Sequence, residues 1–240
     1  MTNAPTDTTA KAGLGDIAEI FYAPSAVFAR RTDGKFFMPY LALVVLAIVI
    51  VLATKGLIQP VIEGEVARGM AKTAAKNPQM TADQLASAAS IGKTIGQFAL
   101  IGSFILAPFF IGLFVWIGGK IAKVQSVGTV ALMVATFSFF PRLLGSIAGA
   151  VLAAMVPEGA PVSLASISVG PAHFIDPATA PVLFAVALRF DLFLLWGVVL
   201  IAIGVRVAGK ATNQQARTTA IIAWAIPSIL GIGSALLRGG

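Results

Sequence analysis

The chain contains no cysteine and only one histidine, His173. Without thiols it can form neither a disulfide nor a thiolate metal site, and a lone histidine cannot assemble a usual zinc site. The sequence also has no recognisable Ser/His/Asp arrangement and no complete phosphate-binding loop. We therefore expect no catalytic residue, no metal site and no cofactor.

Charged side chains are scarce as well. They make up 11% of the 240 residues, whereas hydrophobic residues make up 58%. Soluble domains carry about 25% charged residues, which help to cover their surface with polar groups. A chain with so little charge is expected to fold in a lipid bilayer, and its length favours a single membrane domain.

The charge that is present is mostly basic, with a formal net charge of +7. In a soluble protein this excess would suggest a nucleic-acid partner. Here it is better explained by basic residues that flank membrane spans on the cytoplasmic side, where anionic lipids attract them. The expected partner is therefore the lipid bilayer, and we expect no nucleic-acid binding.

Five apolar stretches are long enough to cross a membrane, for which a helix needs about 20 residues. These runs are continuous rather than alternating, which favours helices over a β-barrel. The sequence thus predicts an all-α, polytopic transmembrane bundle of about five helices. The spans are expected at residues 36–57, 98–119, 127–156, 181–207 and 219–237.

A polar N-terminal segment, residues 1–35, precedes the transmembrane domain of residues 36–240. Apolar residues including Ile20 and Phe21 recur there at helical spacing, and Ser25 is suited to cap a second short helix. We expect these helices to be amphipathic and to lie on the cytoplasmic membrane surface. A partly disordered tail is the alternative.

The polar stretch between the first two spans also predicts helices. Ile62 and Val66 share one face of an amphipathic helix, which is expected to lie at the interface and to end at Asn77. Thr81 and Gln84 have the spacing of a capping box. The helix that they open is expected to continue into the second span as one long helix, and the other four spans are expected to be plain crossings.

Orientation follows from the distribution of basic residues. One side of the membrane holds Arg30, Lys123 and Arg206 among others, while the loop between the third and fourth spans contains no Lys or Arg. The positive-inside rule therefore predicts a cytoplasmic N-terminus and an external C-terminus.

Three charged residues lie inside the predicted spans: Arg142 in the third, and Arg189 and Asp191 in the fourth. A charge at this depth is unfavourable unless it is paired or hydrated, so each is a candidate functional residue. At about 1.5 Å per residue, Arg142 and Asp191 differ in depth by about 6 Å, which an arginine side chain can bridge. We expect a structural ion pair between them, with a substrate or ion pathway as the alternative. Arg189 is shallower and is expected to snorkel outward or to line a polar cavity.

Prolines fall within three of the spans, at Pro108, Pro141 and Pro227. Each leaves a backbone carbonyl without its helical partner and permits a kink. Pro141 directly precedes Arg142, so the backbone carbonyl that the proline leaves free and the guanidinium of Arg142 are expected to lie close together. The kinks are expected to be static, with hinge motion as the alternative.

Small residues form a stripe along one face of the third span, at Gly145, Gly149 and Ala153. Such stripes allow two helices to approach closely in a membrane. Packing within the chain is the favoured interpretation, and the contact face of a homo-oligomer is the alternative.

Two segments resemble the Yip family of membrane proteins, which is named for interaction with small GTPases of vesicle transport, and in particular its bacterial branch. Residues 20–28, IFYAPSAVF, are similar to the amphipathic lead-in before the first span, and residues 190–196, FDLFLLW, are similar to a stretch of the fourth span. Gly204 and the link through Lys210 to the fifth span also fit. The resemblance implies five spans and a bacterial cytoplasmic (inner) membrane. It does not extend to GTPase binding, because the long N-terminal cytosolic domain of eukaryotic members is missing.

The sequence therefore favours a non-enzymatic membrane protein that acts as a scaffold or in membrane organisation. A small channel or transporter that uses a polar site around Arg142 and Asp191 is the first alternative. A membrane enzyme ranks third, because one histidine and few carboxylates within the spans offer little acid–base chemistry.

Overall fold

A computed structural model describes residues 13–157 and 163–239, and every regular element in these ranges is a helix. Four of the helices are long and apolar enough to cross a membrane, and a bent pair of helices makes a fifth span when counted as one. The all-α polytopic bundle is thus confirmed. Residues 1–12, which begin the predicted N-terminal segment, lie outside the described part of the chain.

Two short helices, α1 (Asp16–Glu19) and α2 (Pro24–Ala29), form the N-terminal segment. The second helix begins at Pro24, because an N–H at the first helical position makes no hydrogen bond within the helix and proline loses nothing there. Ser25 thus lies inside the helix, and the predicted cap at Ser25 is wrong. Val27 and Phe28 are completely buried. These helices therefore pack into the bundle in addition to any contact with the membrane surface.

The helices α3 (Phe37–Lys76) and α4 (Ala82–Ile121) form a long antiparallel hairpin. The predicted capping box is present, because the Thr81 side chain accepts from the Gln84 N–H while the Gln84 side chain accepts from the Thr81 N–H. The amphipathic stretch after span one is not a separate interfacial helix, because α3 continues through it. Only Pro60 interrupts the backbone hydrogen bonding before Asn77, and the helix passes through it. The chain thus has two long helices where the sequence predicts one.

The third span consists of α5 (Val127–Ser138) and α6 (Phe140–Ala154), which are separated at Phe139. The break lies just before Pro141, which has no N–H to continue the helical ladder. In the most apolar part of this span 67% of the residues are buried, against 11% in α3. The third span is therefore the central element of the bundle.

The fourth span is not a plain crossing. It comprises α7 (Pro181–Ala187), a 3-10 turn (Leu188–Phe190) and α8 (Leu192–Val207), and it bends by 47° at Asp191. The last helix, α9 (Asn213–Gly239), begins six residues before the predicted fifth span. Thr212 and Gln215 form a second pair of reciprocal capping hydrogen bonds at its start, which explains the earlier beginning.

Candidate functional site

A cavity of about 320 Å³ lies between α4, the junction of α5 and α6, α8 and α9. Its polar lining consists of two arginines and three serines: Ser103, Ser138, Arg142, Arg189 and Ser228. The rest of the lining is apolar or aromatic. Two of the three charges singled out in the sequence therefore line one cavity.

Arg142 follows the break in the central span. Its backbone N–H donates to the carbonyl oxygen of Phe139 at 3.0 Å, and its guanidinium carbon lies 5.7 Å from the centre of the Phe139 ring. The aromatic face contributes a cation–π interaction but no counter-charge. The side chain is accessible and part of the cavity wall. The interruption at Phe139 thus places a guanidinium beside a cavity in the middle of a span.

Arg189 belongs to the 3-10 turn that precedes the bend of span four. Its Nε donates to the carbonyl oxygen of Ala185 at 3.3 Å, and its own carbonyl accepts from the indole N–H of Trp224 at 3.1 Å. The guanidinium lies against Gly231 of α9, where a Cβ would come within 2.8 Å of it. The backbone of Arg189 is therefore held by α9, and Gly231 leaves room for its charged end.

Asp191 does not line the cavity. Its Oδ1 accepts from the N–H groups of Phe193 and Leu194 at 3.0 and 3.1 Å, and its Oδ2 accepts from the N–H of Val169 at 3.2 Å. The ion pairs of the described residues involve neither Arg142 nor Arg189, so no described carboxylate lies within 4 Å of either guanidinium. The expected Arg142–Asp191 ion pair is therefore absent from the described structure. The carboxylate is instead the N-cap of α8 and a tether for the preceding loop.

The charged side chains that line the cavity are both positive. Asp191 attracts Arg142 without forming an ion pair within 4 Å, and this attraction is larger than the repulsion between the like charges of Arg142 and Arg189. No Asp, Glu or His belongs to the described lining, while the serine hydroxyls of Ser138 and Ser228 donate to carbonyls of their own helices. The arrangement is thus suited to an anion.

The prolines and the small-residue stripe have different surroundings. Pro108 lies within the continuous helix α4, and Pro227 lies within α9, where it lines the cavity. A Cβ added at Gly145 would meet the Phe193 ring of α8 at 3.0 Å, and one at Gly149 would meet the carbonyl of Ile167 at 3.1 Å. Ala153 is half-buried. The two glycines of the stripe face other parts of the same chain.

A buried ion network in the N-terminal segment was not predicted. Arg30 donates to Asp16 at 2.7 Å and to Glu19, and Arg31 donates to Asp16 at 2.7 Å. The guanidinium carbon of Arg31 lies 5.0 Å from the centre of the Phe137 ring, in the central span. The signal for this network was the pair of acids one helical turn apart, followed after a proline by two arginines.

Asp16 has a perturbed pKa. Burial raises the pKa of this carboxyl, but hydrogen bonds from Arg30 and Arg31 together with their charges outweigh burial and hold it below its ordinary value of 3.8. The carboxylate therefore stays charged in the folded protein although it is only 3% exposed. Its ion pairs join α1 and α2 and hold both against the bundle.

Membrane-crossing helices that pack around a cationic cavity define a multi-pass integral membrane protein. The family model described as Yip1 domain matches residues 18–235, and the chain therefore belongs to the Yip1 domain family. This confirms the family resemblance noted in the sequence. Searches among curated proteins and among solved structures return no match.

Proposed function

We propose that the protein is a non-enzymatic scaffold that organises the membrane and contacts other molecules through its helical hairpin. The observation that carries this proposal is the length of α3 and α4. Forty residues make each helix about 60 Å long, and a hydrocarbon core is about 30 Å thick. Residues 58–100 therefore extend about 30 Å beyond one span and are called the arm below.

The two helices of the arm contact each other and a neighbouring loop through polar side chains. Lys93 of α4 pairs with Glu63 of α3 at 2.6 Å. Glu65 accepts from the N–H of Leu164 at 2.8 Å, which ties the loop after α6 to the arm. A hairpin with these contacts offers an extended surface to a partner, as a scaffold requires.

The arm also carries an exposed apolar stripe. Ile91, Ile95 and Phe98 lie on one face of α4 at helical spacing, and each is more than half exposed. We propose that a second copy of the chain covers this stripe, which would form the homo-oligomer that the sequence leaves open as an alternative. No role in binding a small GTPase or nucleic acid is proposed.

Site-specific photo-crosslinking tests the scaffold. A photoreactive residue at Ile91 or Ile95, in a mixture of two differently tagged copies, should give a crosslinked dimer that carries both tags. The same group at Val49, an exposed apolar position of α3 within the predicted first span, is the matched control and should give mainly lipid adducts. Lipid adducts alone at all three positions would contradict the proposal.

A small channel or transporter around Arg142 and Asp191 is the second candidate, and the cavity favours it. In this function Arg142 would contact the permeant anion, while Asp191 would only shape the bend of span four. Reconstituted protein should then release a trapped anion from liposomes faster than the Arg142→Gln variant does. Equal release by both proteins would argue against transport.

We further propose that the protein resides in a bacterial cytoplasmic membrane, with its N-terminus in the cytoplasm and its C-terminus outside. The basic residues of the link between α8 and α9 support this orientation, as does the lack of Lys and Arg between span three and span four.

A further inference from the structure

The two arginines of the cavity between α4, α6, α8 and α9 have no ion pair within the described chain. Arg142 and Arg189 both line it, no described carboxylate is paired with either, and the fixed contacts of their guanidinium groups are an aromatic ring and one carbonyl. Guanidinium groups within membrane spans are unfavourable unless they are paired or hydrated. Two such groups facing one cavity therefore call for an anion from outside the chain.

The cavity is polar at one end and apolar at the other. Two glycine contacts show which residues of the third span and of α8 lie at the same height in the bundle. Gly145 lies beside Phe193, and Gly197 lies beside Ser138. Along α8 the lining runs from Phe193, near Arg142, to Ile201, which is two helical turns farther along. Along α4 it runs from Ser103 to Phe114 in the same direction.

The two arginines thus occupy the end of the cavity near the loop that follows α6. Apolar side chains, among them Ile111, Phe114 and Ile201, occupy the opposite end. An inorganic anion would use only the polar end and leave the apolar end without a contact.

The shape also fits an amphiphile. A volume of about 320 Å³ is near the lower end of the range for small-ligand pockets and accommodates a headgroup with the beginning of a chain. Phe110 lines the cavity and is 58% exposed on α4, so the cavity reaches the surface of the bundle. A hydrocarbon chain can leave there into the bilayer.

We propose that this cavity is a binding site for an anionic phospholipid, whose phosphate contacts Arg142 and Arg189 and whose acyl chain follows the apolar wall. A planar guanidinium donates two parallel hydrogen bonds to phosphate oxygens, which makes arginine the preferred partner for such a group. The bound phosphate supplies the negative charge that the described lining lacks. This proposal is independent of the scaffold function, which rests on the arm.

Lipid binding to the full-length protein tests the site. The protein is delipidated in detergent and then titrated with dioleoyl phosphatidylglycerol, dioleoyl phosphatidylcholine or sodium phosphate, with native mass spectrometry and thermal unfolding as readouts. We expect one phosphatidylglycerol to bind and to raise Tm, with phosphatidylcholine at least about tenfold weaker because its headgroup is zwitterionic.

Three variants localise the binding. Arg142→Gln and Arg189→Gln should each weaken phosphatidylglycerol binding about tenfold or more, since each removes charge-assisted hydrogen bonds to the phosphate. Arg206→Gln is the matched control, because Arg206 is an exposed arginine of α8 outside the cavity. It should bind the lipid as the wild type does.

A fourth variant moves a charge without removing it. Gly231→Ala places a Cβ against the Arg189 guanidinium and should weaken lipid binding while both charges remain. It keeps the test informative if an arginine variant fails to fold. Lipid-free Tm provides a further readout, because removing an unpaired charge at Arg142 should leave this Tm unchanged or raise it.

Two results would overturn the proposal. The first is phosphatidylglycerol binding that is the same in the wild type, Arg142→Gln, Arg189→Gln and Gly231→Ala. The second is inorganic phosphate that raises Tm and displaces the lipid at equal concentration, because the site would then recognise the free anion and not the lipid. Neither result bears on crosslinking of the arm.

Discussion

The carboxylate of Asp191 accepts a hydrogen bond from the backbone N–H of Val169 at 3.2 Å, across the bend of the fourth span. The backbone N–H of Leu192 in turn donates to the carbonyl of Val169 at 3.1 Å. Gly170 lies so close to this bend that a Cβ would come within 3.0 Å of the carbonyl of Phe190. The loop after α6 and the start of α8 are thus one unit, joined through Asp191.

Replacing Asp191 tests its role as a cap. Asp191→Ala should lower the free energy of unfolding by about 1–3 kcal/mol, because the cap of α8 and the tether to Val169 are both lost. Asp191→Asn should lose less, since an asparagine oxygen caps a helix nearly as well. Thermal or denaturant unfolding in detergent measures both. Asp176→Ala, in the exposed part of the same loop, is the control.

The outcome also separates a cap from an ion pair. If Asp191→Asn is as destabilising as Asp191→Ala, and Arg142→Gln matches both, the charge of Asp191 matters more than its oxygens. The double variant would then be no worse than either single one.

The ion network at Asp16 predicts a pH dependence. The pKa of Asp16 is lower in the folded than in the unfolded chain. Its charge therefore stabilises the packing of α1 and α2 against the bundle, and this contribution is complete above the ordinary value of 3.8. This contribution is lost as the pH falls below 3.8 through the lowered pKa, because the carboxyl becomes protonated in the folded state as well. Hydrogen exchange of a peptide that covers residues 16–31 should therefore become faster, after correction for the intrinsic rate, in this acidic range.

The Asp16→Asn variant supplies the control for that experiment. It should weaken docking by roughly 3 kcal/mol at neutral pH, because two arginines lose a buried counter-charge. It should also lose the acid-dependent step. Asp33→Asn, at an exposed pair with Lys35, should change neither property. An acid-dependent step of full size in Asp16→Asn would place the titrating group elsewhere.

Close helix packing at Gly197 gives a further prediction. A Cβ there would lie 2.7 Å from the carbonyl oxygen of Ser138, which belongs to the backbone and cannot turn aside. Gly197→Ala should therefore destabilise the protein by about 1–3 kcal/mol in thermal unfolding. Gly102→Ala in α4 has no neighbour within 4 Å and should be neutral or slightly stabilising. Equal stability of the two variants would show that α8 and α5 are farther apart.

The absence of cysteine makes the orientation easy to test. Ala178→Cys, in the exposed loop before α7, and Gln214→Cys, at the exposed start of α9, each introduce a single thiol. In intact cells a membrane-impermeant maleimide should label Ala178→Cys and not Gln214→Cys, which should react only after lysis. The reverse pattern would mean that the chain has the opposite orientation.

The sequence alone determined that the chain is a helical membrane protein that crosses the bilayer several times. Length and continuity of apolar residues suffice for this, because a helix in hydrocarbon must satisfy its own backbone and cover a known thickness. The capping box at Thr81 was equally local, since its two hydrogen bonds join residues three positions apart. Arg142 and Arg189 were found by the rarity of charge within a span.

Only the tertiary structure decided what these charges do. A carboxylate such as that of Asp191 can accept from an arginine or from backbone N–H groups, and the choice depends on a bend that no local residue pattern announces. The same holds for Asp16, because the fold brings Arg30 and Arg31 around its carboxylate. The spacing of apolar residues along the sequence indicates which side chains are buried. It does not indicate which group pairs with a buried charge, because that group comes from a helix that is distant in the sequence.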